Sequence, residues 1–247
     1  MKVPAGPAGA LLLSIAVAVA APSAPADQPA SAAAETQVIG HSVQGRPITA
    51  VQLGDPAAER VALMVGVIHG DERAGLRIVD RIEGRAGELQ GVQLWVIPSV
   101  NPDGARAHTR KNAHAVDLNR NFPYRWSGGL PRSSGYYPGP GPASEPETEA
   151  VIDFVRQIKP QISIWYHQPW GAVLACRGRP AVAARYAKLV RMRTTCRGRG
   201  LHGTVIGWEN AELPDSQAFV VELPAGKIRA RAARRHAGAA IAVAEGG

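Results

Sequence analysis

The stretch VALMVGVIHGDERAGLRIVD, residues 61–80, changes character near its middle. Its first part is an unbroken apolar run, which is typical of a parallel strand buried on both faces of a sheet. The run ends at His69, and the apolar residues that follow recur at helical spacing, which predicts a helix over residues 72–82. A buried strand that ends in a histidine, with Glu72 three residues later, indicates polar chemistry at the edge of a sheet.

Further strands and helices are predicted on either side of this stretch. GVQLWVIPSV, QISIWYH and AFVVELP read as strands, and TQVIGHSVQGRPITAVQLGD alternates like a hairpin with a turn around Gly45. NPDG, residues 101–104, predicts a turn, while Ser144 and Glu147 predict a capping box for the helix EPETEAVIDFVRQI. Because strands and helices alternate, we expect a single α/β domain with a mixed, mostly parallel β-sheet flanked by helices.

Length and charge limit the classes of protein that the sequence can represent. The 247 residues are 45% hydrophobic, which is enough for one domain with a sizeable core. The net charge of +8 is concentrated in a basic segment from Arg177 to Arg199 and a second from Lys227 to Arg235. These segments are either solvated helix faces or a surface attracted to an acidic cell envelope. Nucleic-acid binding would depend on charge alone, and we do not predict it.

The first residues have the layout of a secretory signal peptide. Lys2 precedes the apolar segment GALLLSIAVAVAAPSAPA, which ends in small residues and prolines. We predict a signal peptide over residues 1–26, a flexible lead-in over residues 27–36 and the folded domain over residues 37–247. The protein would then be secreted, with no membrane attachment after cleavage. The alternative is an uncleaved membrane anchor.

Export changes the interpretation of the two cysteines. Cys176 ends the apolar segment GAVLAC, and Cys196 follows the helix-like segment PAVAARYAKLVRMR. In an oxidising compartment such a pair predicts a disulfide that joins the helix to its strand. The alternative is two unreactive thiols.

Polar residues end three of the predicted strands at the same relative place. These residues are His69, His167 and Glu222. The carboxyl ends of parallel strands line the ligand crevice in open α/β sheets, so we expect the three side chains to meet there. A tight turn after His69 would add Glu72, and two imidazoles with one carboxylate are a usual catalytic zinc set. A single histidine at the end of a strand is more often a structural residue. A single glutamate in the first turn of a helix more often compensates the helix dipole.

Six motifs occur in the order in which zinc carboxypeptidases carry them: HGDE, NPDG, VDLNRNFP, SEPET, WYHQ and FVVELP. The sequence resembles that family over residues 37–235. Within the family it is most similar to the bacterial murein peptide amidase branch, whose members cleave cell-wall peptides. The resemblance implies that residues 37–247 form a catalytic domain and that the protein is a secreted zinc metallocarboxypeptidase.

The resemblance also implies how the metal is held. His69, Glu72 and His167 would bind one zinc ion per chain. Asp117, in VDLNRNFP, matches the carboxylate that orients the first histidine. Zinc would lower the pKa of a bound water to about 7 and so provide a nucleophile near neutrality.

Other matching positions would act on the substrate. Glu222 matches the catalytic glutamate, which takes the proton of water and passes it to the leaving amine. Arg110 matches the arginine that stabilises the oxyanion, although Arg106 is only one helical turn away. Asn119 and Arg120 match the pair that holds the terminal carboxylate of the peptide.

The resemblance is incomplete around the substrate. Digestive members of the family carry a mobile tyrosine shortly before the catalytic glutamate, and this chain has no tyrosine between Gly198 and Val221. Trp208 lies there instead, and it either packs in the core or takes part in the site. Tyr136 and Tyr137, in the long loop after VDLNRNFP, either line the cleft or pack in a turn.

We expect the substrate to be a peptide with a free carboxylate, such as a peptidoglycan stem peptide. Two alternatives remain open. One is a zinc amidohydrolase of the acyl-amino-acid deacylase type, and the other is a wall-peptide-binding protein that has lost catalysis. A serine hydrolase is disfavoured because the chain has no G-x-S-x-G motif.

Overall fold

The computed structural model describes residues 1–4, 6, 35–174, 180–196 and 202–246. Contacts divide the chain into Met1–Ala30 and Ser31–Gly247, and every helix and strand below belongs to the second unit. The strands are β1 (Glu35–His41), β2 (Pro47–Gly54), β3 (Val61–Val65), β4 (Gln93–Ile97), β5 (Ile162–His167), β6 (Trp170–Leu174), β7 (Arg193–Thr195) and β8 (Gln217–Pro224). The α-helices are α1 (Leu76–Glu83), α2 (Pro102–Ala107), α3 (Pro146–Ile158), α4 (Pro180–Val190), α5 (Val205–Glu212) and α6 (Ala230–Ala244).

The strands form one mixed sheet in the order β1-β2-β4-β3-β5-β8-β6-β7. Its centre is parallel, because β3 pairs in parallel with β4 and β5, and β5 pairs in parallel with β8. The predicted hairpin is confirmed as the antiparallel pair β1 and β2, with Gly45 at a φ of 74° in the turn. The predicted mixed, mostly parallel α/β fold is therefore confirmed.

Apolar side chains cover both faces of this sheet, which is why its central strands are so uniformly hydrophobic. One cluster includes Ile78 from α1, Tyr186 from α4 and Ala237 from α6. The other includes Val151 from α3 and Trp208 from α5. With helices over both faces, the open edge at the carboxyl ends of the parallel strands is where polar side chains can converge.

The stretch from residue 61 to residue 80 forms β3, a tight turn and α1, but the predicted start of the helix is wrong. The N–H of Glu72 donates to the carbonyl of His69 at 3.0 Å, a 3₁₀ turn follows over Arg73–Gly75, and α1 begins only at Leu76. Glu72 is thus held in the turn after the strand. Its side chain contacts other groups across the sheet edge instead of compensating a helix dipole.

Two local predictions are wrong, namely the turn at NPDG and the capping box before α3. Both concern the residues at which a helix begins. NPDG begins α2: Asn101 caps this helix through a hydrogen bond from the Gly104 N–H at 2.9 Å, and Pro102 occupies the first turn, where proline is favoured. The capping box before α3 does not form, since the Glu147 carboxylate accepts from the Val43 N–H at 3.0 Å.

Several predictions concern residues outside the described ranges. The signal peptide over residues 1–26 lies mostly there, and β1 begins at Glu35, within the predicted lead-in over residues 27–36. Cys176 also lies outside them, so its disulfide with Cys196 stays a prediction. Among the described residues, no helix combines the length and the apolar character needed to cross a bilayer.

Candidate active site

The three polar residues predicted to end strands meet at one edge of the sheet. Only His167 ends its strand, since β3 stops at Val65 and β8 continues past Glu222 to Pro224. His167 is the last residue of β5 and is paired in register with Glu222 of β8. β3 lies on the other side of β5, and the chain continues from it through buried Ile68 to His69. Neighbouring strands lie about 4.8 Å apart, so the sheet itself brings these side chains together.

His69, Glu72 and His167 form a cluster of metal-ligand type. Nδ1 of His69 lies 2.9 Å from Oε1 of Glu72, and Nδ1 of His167 lies 2.9 Å from Oε2 of the same carboxylate. The two Nδ1 atoms are 3.1 Å apart. Ligands around a tetrahedral zinc ion stand about 3.3 Å apart, given bond lengths of about 2.0–2.2 Å. The donor set, its spacing and its burial therefore suit one zinc ion.

Asp117 supports this cluster from behind. Its Oδ1 lies 3.1 Å from Nε2 of His69, so a proton on Nε2 leaves the Nδ1 lone pair facing Glu72 and His167. Asp117 is fully buried, which opposes its charge, but the hydrogen bond and charge of His69 and the charges of Arg110 and Arg120 hold its pKa well below the usual range. Asp117 thus fixes both the orientation and the tautomer of His69.

Arg110 links the metal cluster to Asp117. Nε and Nη2 donate to Oδ2 of Asp117 at 3.1 and 2.9 Å, while Nη1 donates to Oε1 of Glu72 at 3.1 Å. Burial alone would lower the pKa of this guanidinium, but the Asp117 charge and hydrogen bond raise it. Arg106 is exposed, so Arg110 is the arginine that reaches the site.

Glu222 lies beside His167 with little access to solvent. The residue is 7% exposed, and its Oε2 has no hydrogen-bond partner among the described residues. Burial, together with the negative charge of Glu72, raises the pKa of Glu222 to about 7. A hydrogen bond from the Trp170 backbone and the positive charges of His69 and Arg110 oppose this rise. A carboxyl group with a pKa near neutrality can both accept and return a proton.

Asn119 and Arg120 lie in a short 3₁₀ turn over Leu118–Arg120, which Asp117 caps by accepting from the Asn119 N–H at 3.0 Å. The side-chain oxygen of Asn119 accepts from the Val205 N–H at 3.0 Å, which leaves its NH₂ group as the free end of the amide. Arg120 donates to the carbonyl of Asn119, and no described carboxylate lies within ion-pair distance of it. The pair thus offers donors without an anion to receive them.

Comparison with known proteins agrees with this geometry. The profile described as zinc carboxypeptidase matches residues 27–174, which is more than half of the chain. The chain belongs to the zinc carboxypeptidase family. The matched region contains His69, Glu72 and His167, whereas Glu222 lies beyond it.

Individual relatives of this chain include bacterial and plant proteins. Murein peptide amidase A of Escherichia coli K12 is 34% identical over 154 residues, which is 57% of this chain and 60% of the relative. Carboxypeptidase SOL1 of Arabidopsis thaliana is 30% identical over 56% of this chain and 29% of its own. The chain thus spans less than two thirds of the length of these relatives.

Solved structures extend the likeness to most of the fold. The murein-tripeptide amidase of Escherichia coli O157 superposes with a TM-score of 0.70 at 26% identity, covering 85% of this chain and 91% of the other. The carboxypeptidase A of Helicoverpa armigera superposes with a TM-score of 0.71 at 17% identity, covering 85% and 67%. The second likeness concerns the fold alone.

Sequence reasoning missed two residues that hold the candidate site together. Gln168 donates its N–H to Glu72 at 3.0 Å, and its side-chain amide bonds the Ala74 N–H and the carbonyls of Pro224 and Gly226. It therefore joins the turn that carries Glu72 to the end of β8. Its position directly after His167 could have indicated that it belongs to the site.

Gly203 is the second missed residue. It has a φ of +62°, and a Cβ there would stand 2.1 Å from the carbonyl oxygen of Arg120. Its own carbonyl accepts from the Phe122 N–H at 3.0 Å. Only glycine allows this approach, which no local pattern indicates.

The aromatic residues left open by the sequence have different roles. Trp208 is 2% exposed and packs on Phe122, with ring centroids 5.5 Å apart, so it is a core residue. Tyr137 accepts from the Asp117 N–H through its backbone carbonyl at 2.8 Å. Tyr136 is 53% exposed and lies over the guanidiniums of Arg110 and Arg120.

Proposed function

We propose that this protein is a zinc-dependent carboxypeptidase that hydrolyses an amide bond near the free C-terminus of a peptide. One observation carries the proposal: His69, Glu72 and His167 converge within 3.1 Å of one another, and Glu222 lies in register beside His167. The first three residues would hold zinc. The fourth is a carboxyl group suited to proton transfer next to it.

The proton transfers fall to Glu222. Zinc in such a site supplies Lewis-acid polarisation and lowers the pKa of water to about 7. Glu222 would take the proton of the attacking water and return it to the amine that leaves. Burial raises the pKa of Glu222 to about 7, and its Oε2 has no hydrogen-bond partner among the described residues, so this oxygen can take up and release a proton.

Arg110 would stabilise the oxyanion of the tetrahedral intermediate. Nη1 of Arg110 is directed into the site, where it donates to Oε1 of Glu72, so it is the nitrogen that would reach the oxyanion. Nε and Nη2 would keep their bonds to Asp117, which fix the plane of the guanidinium. Losing one such donor typically costs about 3 kcal/mol in the transition state.

Arg120 and Asn119 would bind the terminal carboxylate of the peptide. No described carboxylate lies within ion-pair distance of Arg120, and a guanidinium binds a carboxylate with two parallel hydrogen bonds. The amide of Asn119 is oriented by the Val205 N–H, so its NH₂ group can add a third donor. A peptide with an amidated C-terminus would lose these contacts.

The substrate class and location belong to the same proposal. We propose a cell-wall peptide as the substrate, because the similar proteins from Escherichia coli carry the name murein peptide amidase. We also propose export, which depends on the leader-like residues 1–26. The basic segments of the sequence favour an acidic surface such as a wall.

The test is to incubate zinc-loaded protein with ordinary and wall-derived peptides, each as free acid and as amide, and to identify products by mass. We expect removal of C-terminal residues or short segments from the acids only. Glu222→Gln should keep zinc and lose turnover, while the exposed control Glu149→Gln should keep both.

Each alternative predicts a different result. Turnover of N-acyl amino acids without any cleavage of peptides would favour the deacylase type. Tight binding of wall peptides without zinc-dependent products would favour an idle binding protein. Substantial activity in Glu222→Gln would contradict the role of that carboxylate.

A further inference from the structure

The ring of Tyr136 lies against both substrate-binding arginines at once. Its centroid is 5.2 Å from Cζ of Arg110 and 5.4 Å from Cζ of Arg120. Both distances are within the range of cation–π contacts, which require about 6 Å or less. One exposed ring therefore bridges a guanidinium that would stabilise the oxyanion and one that would bind the carboxylate.

We propose that Tyr136 is a substrate-positioning residue, whose aromatic face holds Arg110 and Arg120 in the orientation that receives the C-terminal end of the peptide. This inference depends on the function proposed above. It adds a residue of the long loop to the substrate site, and it attributes the positioning of the two arginines to the aromatic ring of Tyr136.

The two arginines need such a support to different degrees. Arg110 is held by Asp117 through two of its nitrogens and by Glu72 through the third. Among the described residues, the Arg120 guanidinium has one hydrogen bond, to the carbonyl of Asn119. Burial and the positive charge of Arg110 lower the pKa of Arg120, and the charge of Asp117 opposes this only in part. The electron-rich face of one ring attracts both cations and so offsets their mutual repulsion.

The fold holds Tyr136 in this place through the loop around it. Its N–H donates to Oγ of Ser134 at 3.1 Å, and Nζ of Lys111 donates to the carbonyl of Ser134 at 3.0 Å. The next residue, Tyr137, accepts from the Asp117 N–H at 2.8 Å. The loop is thus hydrogen-bonded to Asp117, the same residue that orients Arg110. This bond positions the neighbouring ring of Tyr136.

Two substitutions separate stacking from simple packing. Tyr136→Phe keeps the ring and removes the hydroxyl, which donates to no other described residue. Tyr136→Leu keeps an apolar side chain and removes the aromatic face. A residue that only covers the arginine side chains would tolerate leucine, whereas a stacking residue requires the ring. Because Tyr136 is more than half exposed, neither change should affect folding.

The experiment measures steady-state hydrolysis of a tripeptide acid by zinc-loaded protein. It also measures the dissociation constant of the same peptide in the Glu222→Gln background, which reports binding without turnover. We expect Tyr136→Leu to raise KM and the dissociation constant about threefold to tenfold, from the freedom that Arg120 regains. In Tyr136→Leu, kcat should fall by a smaller factor than the factor by which KM rises. Tyr136→Phe should bind the peptide as tightly as the unaltered protein does.

Leu130→Ala is the matched control, since Leu130 is 47% exposed in the same loop and has no role in the site. It should leave KM and the dissociation constant unchanged. An unchanged dissociation constant in Tyr136→Leu, or equal losses in the leucine and phenylalanine variants, would overturn the inference. No hydrolysis by the unaltered protein would instead overturn the proposed function.

Discussion

Replacing Glu209 with glutamine should stabilise the protein above neutral pH and change little in acid. Glu209 lies on α5 and is 0% exposed. Its carboxyl oxygens contact Oγ of Ser163 and Nε1 of Trp165 on β5, the latter at 3.1 Å. Burial raises the pKa of Glu209 to about 7, although both hydrogen bonds oppose the rise. Neither partner carries a charge, so the ionised form lacks a counterion there.

The sign and size follow from linkage between proton binding and folding. The folded pKa is about 7 and the unfolded pKa is near 4.5, so the folded state holds this proton more tightly. Stability from the protonated group is complete below the unfolded value and is lost as pH rises through the folded value. The difference of 7 − 4.5, at about 1.36 kcal/mol for each pH unit, amounts to about 3.4 kcal/mol. About 2 kcal/mol of it falls between pH 5.5 and pH 8.5.

Glutamine can replace the protonated carboxyl. Its oxygen can accept from Trp165 while its NH₂ group donates to Oγ of Ser163. The assay is urea denaturation of both proteins at pH 5.5 and 8.5 in the same zinc concentration, with the free energy of unfolding extrapolated to water. The free energy of unfolding of the unaltered protein should fall relative to that of Glu209→Gln by about 2 kcal/mol between these pH values.

Glu212→Gln is the control on the same helix. Glu212 forms a 2.7 Å ion pair with Arg156 at the surface, and such pairs contribute about 0–1 kcal/mol. Its variant should therefore follow the unaltered protein. A constant difference between Glu209→Gln and the unaltered protein across this pH range would refute the assignment of a raised pKa to the buried carboxyl.

Three other predictions concern the site. Gly203→Ala should raise KM about tenfold or more, because the new Cβ would stand 2.1 Å from the Arg120 carbonyl oxygen. The control is Gly45→Ala, which also has a positive φ but has open space around its Cβ, and it should leave KM unchanged. Asp117→Asn should weaken zinc affinity about 10–100-fold in a competition titration with a chelator. Gln168→Ala should weaken zinc affinity about tenfold in the same titration, and unaltered affinity would contradict its role in holding the turn.

The metal cluster could be predicted from sequence because it follows from regular structure. A parallel strand buried on both faces has a continuous apolar pattern, so the first polar residue at its end is visible in the sequence. His167 ends β5, and His69 is the first polar residue after β3. Glu222 lies two residues before the end of β8, where the register with β5 places it beside His167. Glu72 was identified correctly as a neighbour of His69, although the helix begins later than predicted.

Residues that act through long-range contacts could not be predicted. Glu147 has the spacing of a capping box with Ser144, yet its carboxylate bonds the backbone of Val43, far away in sequence. Gly203 is required because a Cβ there would clash with the Arg120 carbonyl, and the role proposed for Tyr136 depends on two arginines that lie near its ring. The local sequence does not indicate which distant segment packs on a residue. The contacts of Glu147, Gly203 and Tyr136 are all of this kind, so they could not be predicted.

The position of β8 has a consequence for the synthesis of the protein. This strand is the last one in the described part of the chain, yet it lies inside the sheet between β5 and β6. During synthesis the amino-terminal part emerges first, so His69, Glu72 and His167 leave the ribosome well before Glu222. A nascent or prematurely terminated chain that stops before residue 217 would carry ligands for zinc but no carboxylate to activate water. Under the proposed function, the carboxylate for proton transfer would join the three ligand residues only after residues 217–224 have been synthesised.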